Sequence, residues 1–218
     1  MEMYNELQKL YRRNKQRYNR FLEQAVDRGK SNDAKELFSH LSYNLLLARV
    51  NADVAVDSTE YLAKGGLLFS GNMPQIESAL RLIGYRFPNR AVWICDNRER
   101  FFESHREIGI VTLVHRLSAM HPIDARNILA GGVEGMDMKA ASHFLRGLGL
   151  SHNELAILDV YILEWLLKFN VIDEVPKYLS KNEYLVIERK MKYWNNHNIH
   201  IPLDVFDLLL WELGRGDN

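Results

Sequence analysis

Apolar residues recur every three or four positions in one segment of this chain after another, a spacing that fits helices and little else. Over Tyr4–Asp27 the pattern runs through Leu7, Leu10, Tyr11, Tyr18, Phe21, Leu22 and Ala25, which predicts one long helix. Ala34–Ala48 places Leu37, Phe38, Leu41, Leu45 and Leu46 on one side and predicts a second. Further helices are expected over Asp57–Lys64, Met73–Leu82, Ile108–Ala119, Pro122–Leu129, Lys139–Leu148, Asp159–Phe169, Ser180–Asn195 and Pro202–Leu213. Gly29–Asp33 reads as a turn, Gly65–Gly71 as a loop, and Gly84 as the residue closing the helix before it. Arg86 and Arg90 flank Phe87 and Pro88 in a basic loop expected to enter a helix at Asn89. The runs VWIC and IGIVTLV are the ones most open to a strand reading, but no two segments pair convincingly as strands. The expected fold is all-α, with many helices of ordinary length joined by short loops.

Composition narrows the function classes. Hydrophobic residues make up 47% of the 218, enough for a sizeable core and too many for a disordered chain. Lys+Arg and Asp+Glu each number 28, so the net charge of zero argues against bulk electrostatic binding to nucleic acid and leaves room for a local patch. A lone cysteine, Cys95, excludes a disulfide framework, a four-cysteine iron–sulfur cluster and a zinc ribbon. The eight histidines show no H-E-x-x-H spacing, and nothing converges on His197 and His200, so neither metal nor cofactor is expected. No apolar run approaches transmembrane length, and the first twenty residues are too polar for a signal peptide, so an intracellular protein (cytoplasm or nucleoid) without membrane contact is expected. The first helix is basic through Lys9, Arg12, Arg13, Lys15, Arg17 and Arg20, which reads either as a solvated face or as a contact for a phosphate backbone.

The stretch VEGMDMKAASHFLRGLGLSHNELAILD, Val133–Asp159, carries the chemistry. A helix to Ala130, a hairpin through Gly135 and Asp137, and a helix from Met138 or Lys139 would turn backbone N–H groups outward, where they bind phosphate without reading a base. Lys139 then stands at the positive end of a helix dipole, a costly place for an ammonium. A free amine there could attack the anomeric carbon of a nucleoside and leave a Schiff base. Asp159 could stabilise positive charge on the sugar or relay a proton. The plainer readings are an exposed helix lysine and an ordinary helix N-cap, and position alone does not separate the two.

GMDMKAASHFLRGLG followed by AILDVYIL resembles the helix–hairpin–helix DNA glycosylases, most closely the archaeal-type (type 2) 8-oxoguanine DNA glycosylase/AP lyases. The likeness extends to IGYRFPNRA (83–91), IDEVPKYLSKNEYLVIE (172–188) and DLLLW (207–211). It implies an all-α fold of two subdomains, residues 44–148 and residues 1–43 plus 149–218, with the hairpin at the cleft between them. It implies Lys139 as the Schiff-base nucleophile and Asp159 as the essential acid. Phe87 and Trp211 would line the pocket for a flipped base; without the likeness, either reads as core packing. DNA contacts are expected from Gly135, Asp137, Arg49, Arg86 and Arg90. The implied activity is excision of 8-oxoguanine from double-stranded DNA followed by β-elimination, by a monomer that needs no cofactor. Alternatives are the same chemistry on another modified base, and a non-catalytic DNA-binding protein; a basic surface around the hairpin with Lys139 facing a pocket would favour the enzyme, and a Lys139 amine in open solvent far from Asp159 the binder.

The chain also departs from the family pattern. Asp137 replaces the second hairpin glycine, a residue that can adopt the left-handed conformation and can cap the helix. Val160 and Tyr161 stand where the family has an Arg-His pair, and Arg49 stands where it has an asparagine. The tail after Trp211 is ELGRGDN instead of a Thr-Gly-Lys type segment.

Overall fold

The computed structural model describes residues 2–103 and 109–216, and among them there are twelve α-helices and no strand. Ile108 of the expected Ile108–Ala119 helix, and Asp217 and Asn218 of the tail, lie outside the described residues. The helices are α1 (Glu2–Gly29), α2 (Ala34–Leu47), α3 (Ala52–Lys64), α4 (Leu67–Ser70), α5 (Met73–Leu82), α6 (Ala91–Arg98), α7 (Ile110–Ser118), α8 (Pro122–Gly132), α9 (Met138–Gly147), α10 (Val160–Lys168), α11 (Lys181–Asn198) and α12 (Leu203–Gly216). A 3₁₀ turn, Pro88–Arg90, leads into α6, and a π turn, Glu99–Glu103, follows it. VWIC and IGIVTLV thus fall in or around α6 and α7.

Local chemistry explains where these helices start. Asn72 and Gln75 form a reciprocal capping box on α5, and Ser180 and Glu183 form another on α11. The expected Asp57–Lys64 helix begins five residues earlier, because Asn51 caps it by accepting from the Asp53 N–H at 3.0 Å. The Gly65–Gly71 loop contains the one-turn α4, which starts after Gly66 at φ 72°.

Two hydrophobic cores form. The first runs from Leu37, Phe38 and Leu41 of α2 through α3–α8 to Phe144 and Leu145 of α9. The second gathers Leu7 and Tyr18 of α1 with Ile162, Leu166, Met191, Phe206 and Leu210 of α10–α12. Two buried ion pairs tie them together. Arg126 of α8 meets Glu188 of α11 through its two terminal guanidinium nitrogens, at 2.6 and 2.9 Å, and Arg146 of α9 meets Asp207 of α12.

Those carboxylates also hold the stretch that enters α10. Residues 156–158 lie outside any helix, so their backbone N–H groups need other partners. Ala156 N–H donates to Glu188 (2.8 Å), Ile157 N–H to Asp207 (2.9 Å), and Leu158 N–H to the Tyr184 hydroxyl (3.3 Å). Three buried side chains from α11 and α12 therefore fix the three residues before Asp159.

Candidate active site

A cavity of about 1050 Å³ opens between the two cores, lined by residues of α1, α2, α3, α9, α10 and α12. Lys139, Asp159, Arg49 and Trp211, four of the residues singled out from the sequence, face it together. Lys139 is the second residue of α9 and is partly buried on the cavity wall. Asp159 is the N-cap of α10, and its carboxylate accepts from the Ile162 N–H at 3.0 Å. Burial raises the Asp159 carboxyl above its ordinary range, against the pull of the Ile162 N–H, the Lys139 charge, the Tyr161 N–H and Arg146.

Arg49 sits where the chain leaves α2, at φ 57°, a left-handed conformation costing about 1–2 kcal/mol for a residue with a Cβ. Trp211 presents one ring face to the Arg215 guanidinium, 4.7 Å from its centroid. Arg215 in turn pairs with Asp53 of α3 at 2.9 Å, a bridge from α12 to the start of α3. Gly214 lets α12 pack on α10: a Cβ there would come within 2.7 Å of the Tyr161 Cβ.

The remaining expected residues lie elsewhere. Phe87 is not among the residues lining this cavity; it packs against the first core, with the guanidinium groups of Arg86 (5.2 Å) and Arg90 (4.5 Å) over its ring. Arg90 departs from its expected place on the DNA surface. It is buried, donates to the Leu46 carbonyl at 2.9 Å and to the Tyr85 hydroxyl at 2.7 Å, and so pins the end of α2 that precedes Arg49. Arg86 is exposed. The hairpin forms a second, shallower recess of about 560 Å³, lined by residues 130–137 and Arg100. Gly135 is at φ 79°, and a Cβ there would collide with the Trp93 ring, so glycine is required twice over. Asp137 is extended (φ −90°, ψ −177°), not left-handed, and caps α9 by accepting from the Ala140 N–H at 2.8 Å.

The cavity wall also holds residues that the sequence reading passed over. His143 lies one turn beyond Lys139 on the same face of α9, and the Arg146–Asp207 ion pair also lines the cavity. Helical spacing from Lys139 was the available signal for His143. For Arg146 and Asp207 there was none, because their pairing depends on how α9 and α12 meet.

A lysine and a raised aspartate sharing a cavity beside a helix–hairpin–helix turn is the arrangement the motif implied. The family model described as 8-oxoguanine DNA glycosylase matches residues 14–199. This chain belongs to that family. An 8-oxoguanine DNA glycosylase/AP lyase of Fusobacterium nucleatum is 30% identical over 210 residues, covering 96% of this chain and 94% of the relative. One from Metallosphaera sedula is 35% identical, covering 82% of each chain. The crystal structure of the Thermotoga maritima 8-oxoguanine DNA glycosylase superposes with a TM-score of 0.84 at 28% identity, covering 99% of this chain and 97% of that one. The Methanocaldococcus jannaschii glycosylase/lyase bound to a 15-mer DNA containing 8-oxoguanine gives 0.84 at 26% identity, covering 99% and 98%. The all-α architecture of the 8-oxoguanine glycosylase family is therefore the architecture of this chain.

Proposed function

We propose that this protein is a bifunctional DNA glycosylase/AP lyase that removes 8-oxoguanine from double-stranded DNA. The observation that carries this reading is Lys139 and Asp159 on one cavity, in a family whose relatives bear that name. The target nucleotide leaves the stack and enters the cavity. The Lys139 amine attacks C1′, the C1′–N9 bond breaks, and the base departs with that electron pair and takes up a proton. Ionised Asp159 stabilises the positive charge that develops on the sugar. The Lys139–sugar adduct opens to a Schiff base, loss of the C2′ proton then expels the 3′ phosphate, and the strand is cut.

The two cores support a division into two subdomains around the cleft, with the whole of α2 belonging to the first. Trp211 offers an aromatic face to the flipped base, and Arg49, on the cavity wall, meets the opened duplex. Hairpin N–H groups around Gly135 and Asp137, with exposed Arg86, grip the phosphate backbone, which makes binding salt-dependent. The protein works as a monomer inside the cell; no helix among the described residues is long and apolar enough to cross a membrane.

Excision assays on duplexes carrying 8-oxoguanine or other modified bases test the reading. Release of 8-oxoguanine well above undamaged guanine is expected, and inactivity on it would overturn the proposal. Arg49 on the cavity wall and Arg215 over Trp211 favour a second reading, a different preferred base, and the same series decides it.

A further inference from the structure

A chain of hydrogen bonds fixes the proton of His143. Asn44 is buried in α2, and its Nδ2 lies 2.7 Å from the His40 carbonyl oxygen. A carbonyl can only accept, so the Asn44 amide must direct its NH₂ there and its Oδ1 away. That Oδ1 lies 2.8 Å from His143 Nδ1. An amide oxygen can only accept as well, so Nδ1 carries the hydrogen and Nε2 is left with a lone pair. Nε2 has no partner among the described residues, while the side chain lines the cavity beside Lys139.

The surroundings keep the ring neutral. Burial, then the charges of Arg146, His40 and Lys139, push the His143 imidazolium well below its ordinary range. Such a ring is a poor acceptor of protons at neutral pH and a constant acceptor of hydrogen bonds. His143 Nε2 therefore stands in the cavity near the donors Lys139, Arg146 and Arg28 as a neutral acceptor without a partner among the described residues, open to a donor on an occupant.

We propose that His143 Nε2 accepts the N7–H of 8-oxoguanine and is a specificity-determining group of the base pocket. The inference rests on the function proposed above. Oxidation at C8 turns N7 of guanine from a bare acceptor into an N–H donor, the change an obligate acceptor can read. Guanine would set two lone pairs against each other and leave His143 unpaired, and sites built around a hydrogen bond discriminate strongly against partners that cannot make it.

The test compares 8-oxoguanine with 8-methoxyguanine, which has no N7–H, and with a preformed abasic site, which has no base. Removing the acceptor in His143→Phe is expected to lower kcat/KM on 8-oxoguanine by about 10²-fold. Borohydride trapping on the abasic duplex should fall far less than excision, because the lyase step needs no base contact. The parent should prefer 8-oxoguanine over 8-methoxyguanine, and the variant should lose that preference. Asn44→Leu, which frees the tautomer without touching the cavity, should erode the same preference. Parental 8-oxoguanine excision by His143→Phe would overturn the proposal, as would an equal fall in excision and abasic-site trapping. A parent that traps on abasic DNA yet ignores 8-oxoguanine would instead refute the proposed substrate, and the inference with it.

Discussion

Asp137 and Asp159 make the same local structure and meet opposite fates. Each is the N-cap of a helix, each is extended with ψ within a few degrees of 180°, and each accepts from the backbone N–H three residues on, at 2.8 and 3.0 Å. Asp137 is exposed at the rim of the hairpin recess. Asp159 faces the large cavity that Lys139 also lines, and burial raises its carboxyl. The difference arises in what precedes each cap. A hairpin turned by Gly135 leads to Asp137, whereas Asp159 follows three residues held by Glu188, Asp207 and Tyr184. Capping is thus a way of placing a carboxylate, and the tertiary surroundings decide whether it faces a cavity.

Replacing each aspartate by asparagine, which still caps, isolates the charge. Asp159→Asn is expected to cut excision by about 10³-fold, and Asp137→Asn to leave the chemical step unchanged in single-turnover assays. Equal losses would erase the contrast. The same pair of variants has a pH signature. Because burial raises the Asp159 carboxyl above its unfolded value, its folded-state ionisation disfavours folding above the raised value and costs nothing below the ordinary carboxylate range. Thermal unfolding should therefore show Asp159→Asn more stable than the parent at neutral pH, with the gain fading towards pH 4. Activity of the parent should fall on the acid side as Asp159 is protonated, with that limb lying above the usual aspartate range.

The support beneath Asp159 is the next place to press. Asp207→Ala strands a buried Arg146 and the Ile157 N–H, and should cost about 3–5 kcal/mol in urea unfolding. Asp137 lacks such scaffolding, so Asp137→Ala should cost only about 1 kcal/mol, the value of a cap. The smallest effect concerns DNA. Removing the Asp137 charge in Asp137→Asn should tighten duplex binding by about 0.5 kcal/mol, read as a Kd shift at low salt that shrinks as salt rises.

Much of this was legible in the residues themselves. Three-to-four spacing located the helices, and α5 matched its expected bounds at Met73 and Leu82. Glycine, lysine and a capping aspartate singled out the hairpin, Lys139 and Asp159, but the roles proposed for them came from the family resemblance, because position alone does not tell a nucleophile from an exposed helix lysine. Arg90 was misplaced because a basic residue near an aromatic reads alike whether its guanidinium points out or, as here, inward to the Leu46 carbonyl. Asp137 could have been left-handed, but its cap to the Ala140 N–H requires extended backbone. Arg146, Asp207 and the Asn44–His143 bond join positions 61 and 99 residues apart, and no local pattern reports a contact of that range.

The central claim is that the Lys139 amine is the nucleophile. Borohydride reduction of the protein on an 8-oxoguanine duplex, followed by peptide mapping, tests it directly. A covalent adduct on the peptide carrying Lys139, absent from Lys139→Gln, is the expected result. An adduct that persists in Lys139→Gln, or maps to another lysine, would contradict the account.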